Sequence, residues 1–67
     1  MNYAEIREHR KNGLCEALEY YLWSFRDNGK LSEEQLNDAK RIVYILSVFG
    51  QEVSAFIESV REELNLD

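Results

Sequence analysis

The chain has 67 residues, of which thirteen are acidic and eight are basic, giving a formal net charge of -5 at pH 7. This length provides for one domain, so residues 1–67 are predicted to form a single unit. The negative charge disfavours binding of nucleic acid or an anionic membrane by the whole surface. The longest apolar stretch, residues 42–49, is far shorter than the ~20 residues that cross a bilayer, so no membrane partner is expected.

Cys15 is the only cysteine in the chain. An internal disulfide is therefore excluded, and a lone thiol is typical of a reducing compartment. The first residues contain no apolar run of the kind found in signal peptides. We therefore predict a cytoplasmic protein.

The first predicted element is a helix over residues 2–27, in a chain without any proline to break it. At about 100° per residue, large apolar side chains share one face of this helix. These side chains are Leu14, Leu18, Tyr21, Leu22 and Phe25. Tyr3 and Ile6 continue the face backwards, but Arg7 and Arg10 also project onto it. The first three turns are therefore expected to fray, bend or lie beyond the core.

The segment after this helix contains strong signals for a turn and a second helix. Gly29 suits the end of a helix because it adopts a positive φ at little cost. Ser32 and Gln35 have the spacing of an N-terminal capping box. Leu31 and Leu36 are placed to form the hydrophobic staple that accompanies such a box. The sequence thus predicts a boundary between two helices at this point.

The second predicted helix covers residues 33–64 and carries a continuous apolar seam in alternating steps of three and four residues. The seam consists of Leu36, Ala39, Val43, Leu46, Gly50, Val53, Ile57, Val60 and Leu64. A second apolar row beside it widens the arc to roughly 180°, which is more than one antiparallel neighbour covers. We therefore predict an all-α fold in which this two-helix antiparallel hairpin dimerises into a four-helix bundle.

Gly50 provides the main alternative architecture. A glycine inside a helix costs about 1 kcal/mol relative to alanine. If Gly50 breaks the second helix, three helices can close around one core as a three-helix bundle. In either architecture the same side chains form the core or the oligomer interface. They are Leu14, Leu18, Tyr21, Phe25, Leu36, Val43, Leu46, Phe49, Val53, Phe56, Ile57 and Val60.

The sequence contains no recognisable catalytic constellation. His9 is the only histidine, and no ligand cluster of zinc-site spacing surrounds it. Paired carboxylates such as Glu33 and Glu34 are expected to be solvated, because a chain this short has little room for a dry cleft. We predict no catalytic, cofactor-binding or metal-binding residues, and we expect that the protein is not an enzyme.

A cluster of cations near the N-terminus, Arg7, Arg10 and Lys11, is the only possible basic patch. Small hairpin dimers can present such a cluster twice to a nucleic acid. Glu5 and Glu8 are interleaved with it and weaken the local field. Binding of nucleic acid is therefore an alternative that we favour less than binding of protein.

Several aromatic and apolar side chains project away from the predicted core faces and form a possible partner surface. They are Tyr20, Trp23, Tyr44 and Val48. Tryptophan and tyrosine are enriched at the energetic centres of protein interfaces. We predict a small non-catalytic protein–protein interaction or regulatory module, of the inhibitor or adaptor type, that acts as a helical homodimer. The alternatives are a regulator that binds nucleic acid through the basic cluster and an acidic inhibitor that mimics DNA.

Overall fold

The computed structural model describes residues 2–66, and it confirms the all-α prediction. Three α-helices follow one another, α1 (Tyr3–Asn28), α2 (Glu33–Leu46) and α3 (Gln51–Leu64), with a 3-10 turn at Ser47–Phe49 between the last two. Helix accounts for 88% of this part of the chain, which has no strands. None of these helices is both long and apolar enough to cross a membrane, as judged over the same residues.

The helix boundaries are set by local capping. The side chain of Asn2 accepts a hydrogen bond of 2.9 Å from the backbone N–H of Glu5 and so begins α1. Gly29 ends it with a φ of 78°. The predicted capping box of α2 is confirmed, because the backbone N–H groups of Gln35 and Ser32 donate to each other's side chains at 3.1 and 3.0 Å. The predicted turn between α1 and α2 is therefore correct.

The prediction of one continuous helix over residues 33–64 is wrong, because the chain breaks at Gly50. This residue has φ 71° and ψ -138°. Residues that have a Cβ rarely adopt this backbone conformation, whereas glycine adopts it at little cost. Its N–H donates to the carbonyl of Ser47 at 3.1 Å, and its own carbonyl accepts from Val53 at 3.2 Å. The helix therefore stops in a 3-10 turn and restarts in another direction. The alternative prediction, three helices with a break at Gly50, is correct.

Polar contacts between the helices show how the three helices run. Asp38 near the start of α2 contacts Tyr21 near the end of α1, so these two helices are antiparallel. Glu63 near the end of α3 pairs with Arg26, so α1 and α3 are parallel. α3 is therefore antiparallel to α2 in direction, and it packs mainly against α1 and the 3-10 turn. The two halves of the apolar seam thereby come to lie inside one chain.

The core lies between the three helices, with Leu18, Leu46 and Val60 fully buried at its centre. Of the twelve side chains predicted for the core or oligomer interface, six are buried: Leu18, Val43, Leu46, Val53, Ile57 and Val60. The other six are partly buried and pack against the core: Leu14, Tyr21, Phe25, Leu36, Phe49 and Phe56. The wide apolar arc predicted for residues 33–64 is thus largely covered within one chain, where α1, α2 and α3 pack on one another.

Leu66 is a core residue that the sequence analysis did not identify. It follows α3 and is 7% exposed. Asn65 adopts a left-handed conformation with φ 57°, and the N–H of Leu66 reaches back to the carbonyl of Arg61 at 2.9 Å. Together with the bond from Asn65 to Glu62, this is a Schellman motif. The motif turns Leu66 onto the core, where it covers the end of the bundle.

Candidate protein-binding surface

The clearest candidate site is an apolar patch at one end of the bundle, where the first turns of α1 meet the 3-10 turn. Tyr3 and Val48 are 80% and 77% exposed there, and Ile6 is 39% exposed. These side chains line a concave surface of about 260 Å³ together with Phe49, Arg7 and Arg10. We call these six residues the end patch. Val48 had been predicted for a partner surface, whereas Tyr3 and Ile6 had been placed on the core face.

The end patch is exposed because α1 is longer than the helix against which it packs. α1 has 26 residues and α2 has 14, which correspond to lengths of about 39 and 21 Å. The N-terminal turns of α1 therefore extend beyond α2, and the 3-10 turn that they meet contains no buried residue. The first turns lie beyond the core, one of the outcomes that the sequence allowed, and they remain helical. The arginines on this face were the sequence signal that the core stops short of it.

Charges at the rim of the end patch are partly neutralised within the chain. Arg7 pairs with Glu52 at 2.8 Å, and its guanidinium carbon lies 4.7 Å from the centre of the Phe49 ring. This ion pair lowers the pKa of Glu52 below its usual value. Lys11 pairs with Glu8 at 2.9 Å, which raises the pKa of the lysine. Arg10 makes no ion pair with any residue between 2 and 66.

The predicted basic patch is therefore largely a set of internal ion pairs. Two of its three cations, Arg7 and Lys11, contact Glu52 from α3, at 2.8 and 4.0 Å. These contacts fix the start of α3 against α1. Among the cations within residues 2–66 that line the end patch, Arg10 is the one that makes no ion pair.

The four residues of the predicted partner surface do not form one continuous patch. Tyr20 and Trp23 are 66% and 64% exposed on α1, and helical geometry directs them away from the face that carries Leu18. Tyr20 also packs its ring edge against Tyr21, with centroids 5.9 Å apart and planes at 68°. Tyr44 is 78% exposed on α2, one turn before Val48. Of the four, only Val48 lines the concave surface of the end patch.

A second, more polar depression of about 470 Å³ lies between α1 and α2, and Tyr21 and Asp38 are among its lining residues. The Tyr21 hydroxyl donates a hydrogen bond of 2.5 Å to the Asp38 carboxylate. That bond raises the pKa of Tyr21, because the neutral phenol is the donor. Both polar groups are thus engaged with each other, and their arrangement links two helices.

The remaining chemistry-bearing side chains, Cys15 and His9, lie apart from this depression. Cys15 is partly buried, and burial raises the pKa of its thiol, so the thiol stays protonated at neutral pH. His9 is exposed and lies beside Glu5, Glu8 and Asn12 in a shallow depression. Within residues 2–66, no three side chains of the metal-binding types come together.

The end patch combines exposed apolar area, a concave shape and a cationic rim in one place. Such a surface can bind an apolar segment of a protein and select it by charge. Its residues come from α1 and the 3-10 turn, which are distant in sequence, so the end patch exists only in the folded protein. No protein-family model, no curated protein and no solved structure matches this chain.

Proposed function

We propose that this protein is a small non-catalytic interaction module, of the inhibitor or adaptor type, that binds a partner protein through the end patch. The observation that carries the proposal is the joint exposure of Tyr3, Ile6 and Val48 on one concave surface. Isolated exposed apolar side chains are common on soluble proteins, but a contiguous patch is a feature of interaction sites.

The size of the end patch supports this proposal. The exposed fractions of its apolar residues correspond to an area on the order of 400 Å², within the range of functional patches on small monomers. A standard interface buries about 800 Å² on each partner, of which somewhat more than half is apolar. The end patch can therefore supply part of the apolar area of one ordinary interface.

The charge at the rim supports a particular kind of partner. Arg10, which makes no ion pair within residues 2–66, borders the apolar side chains in a chain whose net charge is -5, and Arg7 beside it is paired with Glu52. A segment that carries apolar side chains flanked by carboxylates would complement this rim and would be attracted to this end of the molecule rather than to the others. We therefore propose an acidic, amphipathic segment as the ligand of the end patch.

The predicted homodimer remains part of this proposal, but the structure changes the argument for it. A four-helix dimer of hairpins needs residues 33–64 in one helix, whereas α2 and α3 are separate here. The argument that a second chain must cover the seam no longer applies. The cytoplasmic location is also part of the proposal and rests on the lone cysteine.

The alternatives receive less support. A regulator that binds nucleic acid would use Arg7, Arg10 and Lys11, and two of these are already paired with carboxylates. Its binding would have to replace those ion pairs and would weaken steeply with salt. The acidic DNA-mimic alternative rests on net charge alone.

The proposal is tested by affinity capture with matched variants of the whole chain. Tyr3→Ser combined with Val48→Ser removes most of the exposed apolar area of the end patch. Tyr20→Ser combined with Trp23→Ser removes two side chains of comparable exposure on another surface. Because all four are exposed, both variants are expected to stay folded, which circular dichroism verifies. Bound proteins are identified by mass spectrometry and their affinities measured with purified components.

The expected result is a specific partner that is retained by the Tyr20 and Trp23 variant and lost by the Tyr3 and Val48 variant. Loss by the Tyr20 and Trp23 variant alone would move the site to the other surface and reject the end patch. Recovery of no partner other than the chain itself would reject the interaction module.

A further inference from the structure

The apolar seam of residues 36–64 continues in register across the break at Gly50. On the α2 side it buries Ala39, Val43 and Leu46, and on the α3 side Val53, Ile57, Val60 and Leu64. Folding as three separate helices does not require this register. The same steps of three and four residues would place all these side chains on one face of a single long helix.

The break itself is held chiefly by Phe49, which packs against the core and beneath the Arg7 guanidinium. Within residues 2–66, no side chain caps the start of α3, and the 3-10 turn before it contains no buried residue. The sharp change of direction depends on the positive φ of Gly50 and on the backbone bonds around it. A Cβ at this position would meet no atom within 4 Å. Space is therefore available for a side chain, and only the backbone conformation opposes it.

Straightening this hinge would carry α3 away from its own α1 and α2. Since α3 lies antiparallel to α2 in the closed chain, two straightened chains can cross antiparallel at Gly50 and exchange their third helices. Each α3 would then rebuild in the partner the contacts that it makes within its own chain, including the pair between Arg26 and Glu63. A short hinge with equivalent contacts on either side is the setting in which domain swapping occurs.

We propose that this chain also forms a dimer with a second copy of itself, in which the two chains exchange α3 through a hinge at Gly50. In the swapped dimer, residues 33–64 of each chain form one long helix, and the two long helices pack with the two α1 helices as a four-helix assembly. The inference deepens the homodimer part of the proposed function. It also couples dimerisation to partner binding, because Val48 and Phe49 lie beside the hinge and also belong to the end patch. The closed monomer carries the end patch, and the swapped dimer rearranges it.

The first test compares Gly50→Ala with Gly13→Ala by analytical ultracentrifugation. Alanine at position 50 favours the long helix and strains the closed hinge. Because a dimer contains two such hinges, the effect on the dimerisation free energy counts twice. The dimer dissociation constant should therefore fall by at least about a hundredfold relative to the unsubstituted chain. Gly13 is an exposed glycine inside α1 whose Cβ would also meet nothing. Its replacement raises helix propensity without touching the hinge, and should leave the dissociation constant unchanged.

The second test shows whether the third helices are exchanged. Arg26→Glu and Glu63→Arg are made separately in the Gly50→Ala chain, and the two proteins are mixed, unfolded and refolded together. Within either chain the reversal places like charges against each other. In a swapped heterodimer both contacts between α1 and α3 regain opposite charges. Native mass spectrometry should then show heterodimers well above the statistical share.

A control pair of reversals, Lys40→Glu and Glu16→Arg, tests general charge complementarity. Both residues are exposed and make no ion pair within residues 2–66, so this mixture should stay close to the statistical share. A Gly50→Ala chain that remains monomeric overturns the proposal. So does a dimer in which the Arg26 and Glu63 mixture behaves like the control, because its third helices have not been exchanged. Neither outcome tests whether the end patch of the closed monomer binds a partner protein, which the capture experiment tests separately.

Discussion

Replacement of Leu46 by alanine tests whether one chain closes the core. Leu46 is the last residue of α2 and has no solvent exposure. It lies where the chain turns back toward α3, so the third helix helps to cover it. Truncation to alanine removes most of the side chain and leaves a cavity that the surrounding helices fill only in part.

The expected loss is large for a chain of this size. Truncation of a fully buried leucine to alanine lowers the free energy of unfolding by about 2–5 kcal/mol. Domains have about 0.05–0.15 kcal/mol of stability per residue, so this one has a total of about 3–10 kcal/mol. Leu46→Ala should therefore remove about a fifth or more of the free energy of unfolding. Leu46→Asp, which places a charge at the same point, should unfold the chain.

Urea denaturation followed by far-UV circular dichroism measures both the variant and its control. Val48→Ala is the control, because Val48 is two residues away and 77% exposed. The free energy of unfolding of Val48→Ala should differ from that of the unsubstituted chain by no more than about 0.5 kcal/mol. Equal losses for the two variants would refute the packing described here. An unfolding midpoint that depends on protein concentration in the micromolar range and below would show instead that a second chain covers Leu46.

Two further predictions concern the ends of the bundle. Asn65 has a positive φ, so Asn65→Gly should raise the free energy of unfolding by a few tenths of a kcal/mol, and Asn65→Ala should lower it by about 1 kcal/mol, both measured by urea denaturation. Arg7 and Arg26 lower the pKa values of Glu52 and Glu63 in the folded chain. The stability that these carboxylates contribute is therefore present above the unfolded value of about 4.3 and is lost as the pH falls through the folded values. The unfolding midpoint should decline over that acidic range, and less steeply in Glu52→Gln combined with Glu63→Gln; an unchanged slope would contradict the role of the ion pairs.

Local interactions explain why much of the fold could be read from the sequence. The capping box at Ser32 and Gln35 and the helix end at Gly29 involve residues a few positions apart, and both were predicted correctly. The apolar seam likewise follows from helical spacing, and its buried members lie inward on α2 and α3. Such features depend on short stretches of backbone whose geometry is known in advance.

The candidate site could be predicted only in part. Val48 was recognised as an outward-facing residue, but its neighbours in the end patch come from the first turns of α1. Only the packing of α1 against α2 brings Tyr3 and Ile6 beside it. The pairing of Arg7 and Lys11 with Glu52 likewise joins residues more than forty positions apart in the chain.

The sequence by itself determined the all-α class, the turn after α1 and the side chains available for a core. Tertiary structure alone decided between one long second helix and two short ones, because the steps of the seam are the same in both. Gly50 permits either conformation, and the choice depends on whether α3 gains more by packing onto its own α1 and α2 than the backbone loses at the break.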